Sequence, residues 1–140
     1  SMFQSCNNLN SLPSLDSSGN TTPSGYNSMF NSCYNLGSVT LNINQTTANT
    51  SVTNMFNSCY SLQTVPLFNT VAVTNMSGMF NTCSSLKSIP LLNTAAVTNM
   101  SNMFNSAVSF NGNITTWNVS RVTNFTYMFF QTQYFFYSFT

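Results

Sequence analysis

Apolar residues recur along this chain in a fixed order, spaced by Asn, Ser and Thr, and the order repeats roughly every 25 residues. A Met-Phe pair stands at Met2-Phe3, Met29-Phe30, Met55-Phe56, Met79-Phe80, Met103-Phe104 and Met128-Phe129, with successive spacings of 27, 26, 24, 24 and 25. Four residues after each Met comes Cys6, Cys33, Cys59, Cys83, then Ala107 and Thr132. Seven residues after each Met comes Leu9, Leu36, Leu62, Leu86, then Phe110 and Phe135. The two cleanest units read VTNMSGMFNTCSSLKSIPLLNTAA, from Val73, and VTNMSNMFNSAVSFNGNITTWNVSR, from Val97. A single unit of this length cannot bury its own apolar face, so units with this period are expected to stack and share one core.

Within a unit, Leu86-x-x-Ile89-x-Leu91 has the spacing of a leucine-rich-repeat strand, and Leu62-Val65-Leu67 and Leu36-Val39-Leu41 repeat it. Alternation along a strand turns the second and third members of each triplet inward. Pro66 and Pro90 lack an N–H to donate, so these strands are expected to be short. Met79, Phe80 and Cys83 stand at i, i+1 and i+4, which predicts one helical or 3₁₀ turn behind the strand. The fold class that follows is a leucine-rich-repeat-like solenoid with short parallel strands, turns or 3₁₀ segments, and 24 to 27 residues per turn. Residues 1–140 form one array of about five to six degenerate units. The chain starts inside one unit, at Ser1-Met2-Phe3, and stops inside another at Thr140, as expected of a segment of a longer protein. The irregular stretches are a Gly/Ser/Pro/Asn loop from Asp16 to Gly25, an insertion from Asn42 to Ser51, and a unit at Val52 to Phe56 that lacks the Ser-x-Met step.

The repeated positions define the candidate core. Phe3, Phe30, Phe56, Phe80, Phe104 and Phe129 form one expected ladder, and Cys6, Cys33, Cys59 and Cys83 form a second. Equivalent residues of stacked units lie roughly 4.8 Å apart, a spacing at which neighbouring cysteines just reach disulfide geometry. Replacement of the same column by Ala107 and Thr132 favours small buried thiols over disulfide pairs. Thr53, Thr74, Thr98 and Thr123, from the Val-Thr-Asn steps, are expected as an outward polar column, which admits ice or glycan binding beside the plain reading of a solvated face. Near the C-terminus, Phe130, Tyr134, Phe136, Tyr137 and Phe139 exceed what the repeat's core columns use and form a candidate interface for end-to-end self-association or for a following repeat.

Composition narrows the function. The chain has two basic residues, Lys87 and Arg121, one acidic residue, Asp16, no histidine and a net charge of +1. Two scattered cations cannot hold a run of phosphates or an anionic membrane surface, which excludes nucleic acid and lipid headgroups as partners. No apolar run approaches the ~20 residues of a membrane span. Without histidine or glutamate, no acid–base pair or catalytic triad can be assembled, and no enzyme activity, cofactor or metal site is expected. An Asn/Ser/Thr-rich face with so little charge points to extracellular or cell-surface material. Asn-x-Ser/Thr triplets at Asn20, Asn44, Asn49, Asn75, Asn99, Asn113, Asn118 and Asn124 are candidate glycan acceptors on a eukaryotic secretory route, although so biased a composition also generates them by repetition.

The combined pattern MFxxC-xxL-xxI/V-P-L followed by VTNMSxMF resembles the BspA-like surface leucine-rich repeats of bacteria and protists, including the related repeat of mycoplasma-type lipoproteins. The stretch AVSFNGNITTWNVSRVTNFTYMF, from Ala107, is similar to that family's A-x-x-F-N-x-x-I-x-x-W-x-V-S-x-V-T-N form. The resemblance implies a surface or extracellular adhesion protein that meets a protein or glycan partner. A self-assembling extracellular filament, or a viral or cell-surface fibre, is the alternative. One departure from the leucine-rich-repeat pattern concerns the buried asparagine ladder, because Asn69 and Asn93 fall about one residue from its place.

Overall fold

The computed structural model describes residues 2–16, 25–42 and 50–133. The first connection, most of the expected insertion, and Asn20, Asn44, Asn49, Tyr134, Phe136, Tyr137 and Phe139 lie outside the described residues.

Each unit from the second onward contains two successive turns closed by i to i+3 hydrogen bonds. In the unit from Val73, Met79 N–H bonds the Met76 carbonyl at 3.2 Å and Cys83 N–H bonds the Phe80 carbonyl at 3.1 Å. The third residue of each turn has positive φ, 61° at Gly78 and 59° at Thr82, which is the type II signature. The same two positions hold Asn54 and Ser58 in one neighbouring unit and Asn102 and Ser106 in the other. A right-handed helical turn cannot pass through left-handed residues, so the helical or 3₁₀ turn expected at Met79 to Cys83 is corrected to consecutive β-turns. Small polar side chains lower the strain at these positions. The hydroxyls of Ser58, Thr82 and Ser106 donate to Oδ1 of the preceding Asn57, Asn81 and Asn105 at 3.0, 3.1 and 2.9 Å, which accounts for the recurring Asn-Ser/Thr pair after Met-Phe.

These turns stack on those of the next unit through a directional ladder. Gly78, Phe80 and Thr82 donate N–H to the carbonyls of Ser101, Met103 and Asn105 at 2.8, 2.9 and 2.7 Å. Asn54, Phe56 and Ser58 donate likewise to Ser77, Met79 and Asn81, and Asn102, Phe104 and Ser106 donate to Thr126, Met128 and Phe130. Parallel bridges join Ser51 to Asn75, Asn75 to Asn99, and Asn99 to Asn124. Longer strands occur only in the first two units among the described residues. Strand β1 (Ser11–Asp16) pairs in parallel with β2 (Ser38–Asn42), with an irregularity between Leu12 and Leu15. Pro13 falls inside that irregularity, where its missing N–H interrupts the ladder.

Pro66 and Pro90 occupy the matching place in the third and fourth units, and no strand forms there. With no pleat to enforce alternation, the inward positions are three apart: Val65 and Phe68 are buried while Leu67 is 67% exposed. Leu91 is 66% exposed and Leu92 is buried in its stead. The inward placement expected for Leu67 and Leu91 is therefore corrected by one residue, which moves two leucines from core to surface.

The core is a set of columns. Phe3, Phe30, Phe56, Phe80, Phe104 and Phe129 stack at centroid separations of 5.4, 5.3, 5.8, 5.5 and 5.6 Å with planes within 19° of parallel. The four middle rings are fully buried, and Phe3 and Phe129 are half-buried. In the fifth unit Phe110 replaces the column leucine and lies against Phe104 at 4.0 Å, with Trp117 also beside Phe104 at 6.2 Å.

The cysteine column carries hydrogen bonds as well as volume. Cys33, Cys59 and Cys83 Sγ donate to the carbonyls of Phe3, Phe30 and Phe56 at 2.9, 3.1 and 3.1 Å, and Thr132 Oγ1 donates to Phe104 at 2.8 Å. Cysteine and threonine interchange here because both are small donors, a reason that size alone does not supply. All four thiols are free; Cys33, Cys59 and Cys83 are buried and Cys6 is half-buried. Burial pushes the Cys59 thiol up to about 12, with the neighbouring Cys33 adding to the rise, and raises Cys83 and Cys33 as well. Alkylation of the native chain at pH 8 is expected to spare Cys33, Cys59 and Cys83 and to label them once denatured, as read by mass spectrometry. Labelling of Cys59 in the native chain at the rate of Cys6 would contradict this packing.

Candidate functional site

The surface feature rebuilt from unit to unit is a groove beside the asparagines at 69, 93 and 118. Its residues come from three aligned strips, Leu67-Phe68-Asn69-Thr70, Leu91-Leu92-Asn93-Thr94 and Thr116-Trp117-Asn118-Val119. The second residue of each strip, Phe68, Leu92 or Trp117, is buried and anchors the strip to the core. The first residue then faces out, which is why Leu67 and Leu91 are exposed.

The third residue of each strip is held by its own backbone. Oδ1 of Asn69, Asn93 and Asn118 accepts the N–H of Val71, Ala95 and Ser120 at 3.0, 3.1 and 3.0 Å, and Ser120 Oγ adds a bond to Asn118 at 2.7 Å. These are Asx turns, which an asparagine forms locally without a tertiary partner. All three asparagines are exposed, so they do not form the buried ladder of a leucine-rich repeat. The next residue takes over that role. Thr70 and Thr94 are buried, and their hydroxyls donate to the carbonyls of Asn93 and Asn118 at 2.9 and 3.0 Å, tying each strip to the next.

The strips enclose two adjoining open cavities. One, of about 370 Å³, is lined by Leu67, Phe68, Asn69, Thr70, Leu91 and Asn93. The other, of about 290 Å³, begins at Leu91 and Asn93 and continues past Ala95 to Thr116 and Asn118. No charged side chain lines either one. Lys87 sits in a separate hollow with Gln63, Thr64, Ser85, Ser88 and Ser109.

The other residues singled out in the sequence fall as follows. Thr74, Thr98 and Thr123 form an exposed column, each hydroxyl donating to the backbone carbonyl of the threonine before it at 3.1, 3.1 and 3.2 Å. The member below Thr74 is Thr50, not Thr53 as expected. The bridge from Ser51 to Asn75 aligns Thr50-Ser51-Val52 with Thr74-Asn75-Met76, so Thr53 lies at the Ser77 position, and Ser51 belongs to the repeat rather than to the insertion. Among the candidate glycan acceptors, Asn113 and Asn118 are exposed, whereas Asn75, Asn99 and Asn124 are half-buried in the parallel bridges. Each of the five uses Oδ1 to cap the N–H two residues on, a local turn that explains the Asn-x-Ser/Thr pattern without a glycan.

Phe130 is exposed, and Tyr127 meets it edge-to-face at 5.5 Å. Phe125 is also exposed. Sequence reasoning misses the Asn93 groove because alternation places its leucines in the core; the signal is the hydrophobic residue six places after Leu62 and Leu86, Phe68 and Leu92. Among the described residues no helix is long and apolar enough to cross a membrane.

No curated protein and no solved structure matches the chain. Residues 50–139, well over half of the sequence, match the family described as Mycoplasma protein of unknown function, DUF285, and the chain belongs to that family.

Proposed function

We propose that the chain is a leucine-rich-repeat-like solenoid of the BspA-like surface type, an extracellular or cell-surface module for structure and adhesion through protein or glycan contacts. The observation that carries this reading is the Asn69–Asn93–Asn118 groove, an uncharged surface regenerated at successive units by backbone-locked side chains. A repeated core under a repeated surface suits an extended partner, which contacts several equivalent places at once. The DUF285 match is consistent with a repeat of this type. The reading is of a binding surface and not of an enzyme, since histidine and glutamate are absent from the sequence and acid–base chemistry has no pair of groups to use.

A second reading, self-assembly into a filament, is favoured by one observation, the exposed Phe125, Tyr127 and Phe130 on a single unit. Antibody labelling of intact producing cells, with and without permeabilisation, tests location, and electron microscopy of the purified chain tests assembly. Labelling of intact cells by a chain that stays dispersed supports the adhesion module. Labelling only after permeabilisation removes the surface reading, and regular end-to-end polymers favour the filament.

A further inference from the structure

We propose that the groove beside Asn93 binds a neutral, linear glycan lying along the direction in which the units stack; this deepens the surface-adhesion reading and rests on it. With Oδ1 committed to the backbone, the amides of Asn93 and Asn118 are fixed so that Nδ2 is the group left to donate. The Nδ2 groups of Asn93 and Asn118 have no partner among the described residues, and both side chains are exposed. The groove therefore presents two oriented donors, Asn93 and Asn118 on adjacent units, to a ligand rich in acceptor oxygens.

Beside the donors runs an apolar ledge. Leu67 and Leu91 stand outward on adjacent units, and both line the groove with the asparagines. A pyranose ring has C–H faces that lie on such a ledge while its equatorial oxygens reach sideways to amides. This combination of an apolar wall and a few fixed polar groups is how small-molecule sites set orientation.

Charge selects among glycans. The groove has no cation to hold a carboxylate or sulfate, and Lys87 belongs to the other hollow. Spacing selects against a peptide. Units joined by a parallel backbone ladder lie roughly 4.8 Å apart, the strand spacing. An extended peptide offers same-side carbonyls every roughly 6.6 Å, twice its rise per residue, and falls out of step over successive units. The advance of one β-linked sugar residue is nearer the unit spacing, so a linear chain sets an acceptor opposite each of Asn93 and Asn118.

Titration calorimetry of the whole chain with chitohexaose, cellohexaose and an oligogalacturonate of the same length tests the proposal. At least one neutral hexamer is expected to bind, the matching dimer more weakly, and the oligogalacturonate not at all. Asn93→Asp keeps the acceptor for Ala95 N–H and deletes the donor; it is expected to weaken neutral-hexamer binding about threefold to tenfold at unchanged melting temperature. Leu91→Ser, at an exposed position, should weaken it without touching the Asx turn. The proposal is overturned if neither neutral hexamer binds, if both variants bind like the parent, or if binding is to oligogalacturonate and is lost in Lys87→Gln. Binding of an extended peptide at this groove in place of the sugars also overturns it. If intact cells are labelled while the hexamers fail to bind, the glycan inference falls and the adhesion reading stands.

Discussion

Phe80→Ala is expected to lower stability by about 3 to 5 kcal/mol, the range for removing a fully buried phenylalanine where the surroundings cannot collapse. Collapse is restricted because the ring is held from both sides. Phe56 lies 5.8 Å away on one unit and Phe104 5.5 Å away on the other, and both are anchored by the backbone ladder that Phe80 itself joins. The substitution thus opens a void and deletes two aromatic contacts worth about 0.5 to 1.5 kcal/mol each beyond area burial. Against a total stability of about 5 to 15 kcal/mol, the loss removes a large share. Trp117 is the chain's one tryptophan and packs against Phe104, so its fluorescence reports on the unit next to the void. Urea unfolding followed by that fluorescence should show a markedly lower midpoint for Phe80→Ala, and a smaller change for Phe3→Ala, whose ring is half-buried. Equal midpoints for Phe80→Ala and the parent would mean that the ring column does not hold the units together.

The columns were legible in the sequence wherever one residue type recurs at a fully buried position. Phe30, Phe56, Phe80 and Phe104 each follow a methionine and each occupy the same place in a turn, so periodicity alone located them. What lay beyond periodicity was the local backbone. A pleated strand after each column leucine would place Leu91 inside. Pro90 supplies no N–H for a strand ladder, the segment leaves the alternating pattern, and Leu92 goes inside instead. The exposed leucines are half of the candidate groove, so an error of one residue hid the site. The asparagines are visible in the sequence, but they stand about one residue from the place of a leucine-rich repeat's buried ladder. Their Asx turns are a local alternative open to any asparagine, and only the positions of the buried threonines beside Asn69 and Asn93 decide between the two. Thr53 shows a different limit. Val52-Thr53-Asn54-Met55 copies Val73-Thr74-Asn75-Met76 in letters, yet the backbone pairs Ser51 with Asn75 and sets the copy three residues out of register. In the pairing that forms, Met55 and Phe56 meet Met79 and Phe80, and keeping those buried columns aligned outweighs the match of a surface tetrapeptide.

The fifth unit departs from its neighbours at three positions that compensate one another, and the compensation makes a sharp expected result. Where the fourth unit has Cys83, Leu86 and Ser88, the fifth has Ala107, Phe110 and Gly112. Ala107 is smaller than the cysteine of the preceding unit, and the buried Phe110 ring, larger than the leucine it replaces, packs on Phe104 at 4.0 Å. That ring also occupies the space a side chain at 112 would need. A Cβ on Gly112 would stand 2.9 and 3.0 Å from Cζ and Cε2 of Phe110 and 3.2 Å from the Ser88 Cα. Gly112→Ser, which restores the residue of the preceding unit, is therefore expected to destabilise by about 1 to 3 kcal/mol through overpacking. Phe110→Leu, which also restores the preceding unit, should cost about 1 to 2 kcal/mol, because it empties part of the core and breaks the contact with Phe104. When the two changes are made together, Phe110→Leu removes the ring that Gly112→Ser would meet, and the added side chain at 112 occupies part of the space the ring leaves. The double variant is expected to fall short of the summed losses by about 1 kcal/mol or more, a coupling typical of residues in direct contact. The Ser88 backbone contact survives in the double variant, so recovery is incomplete. A denaturation cycle on the four chains measures this directly. Strictly additive losses would mean that Gly112 is required by the 3.2 Å backbone approach alone and that Phe110 has no part in excluding a side chain there.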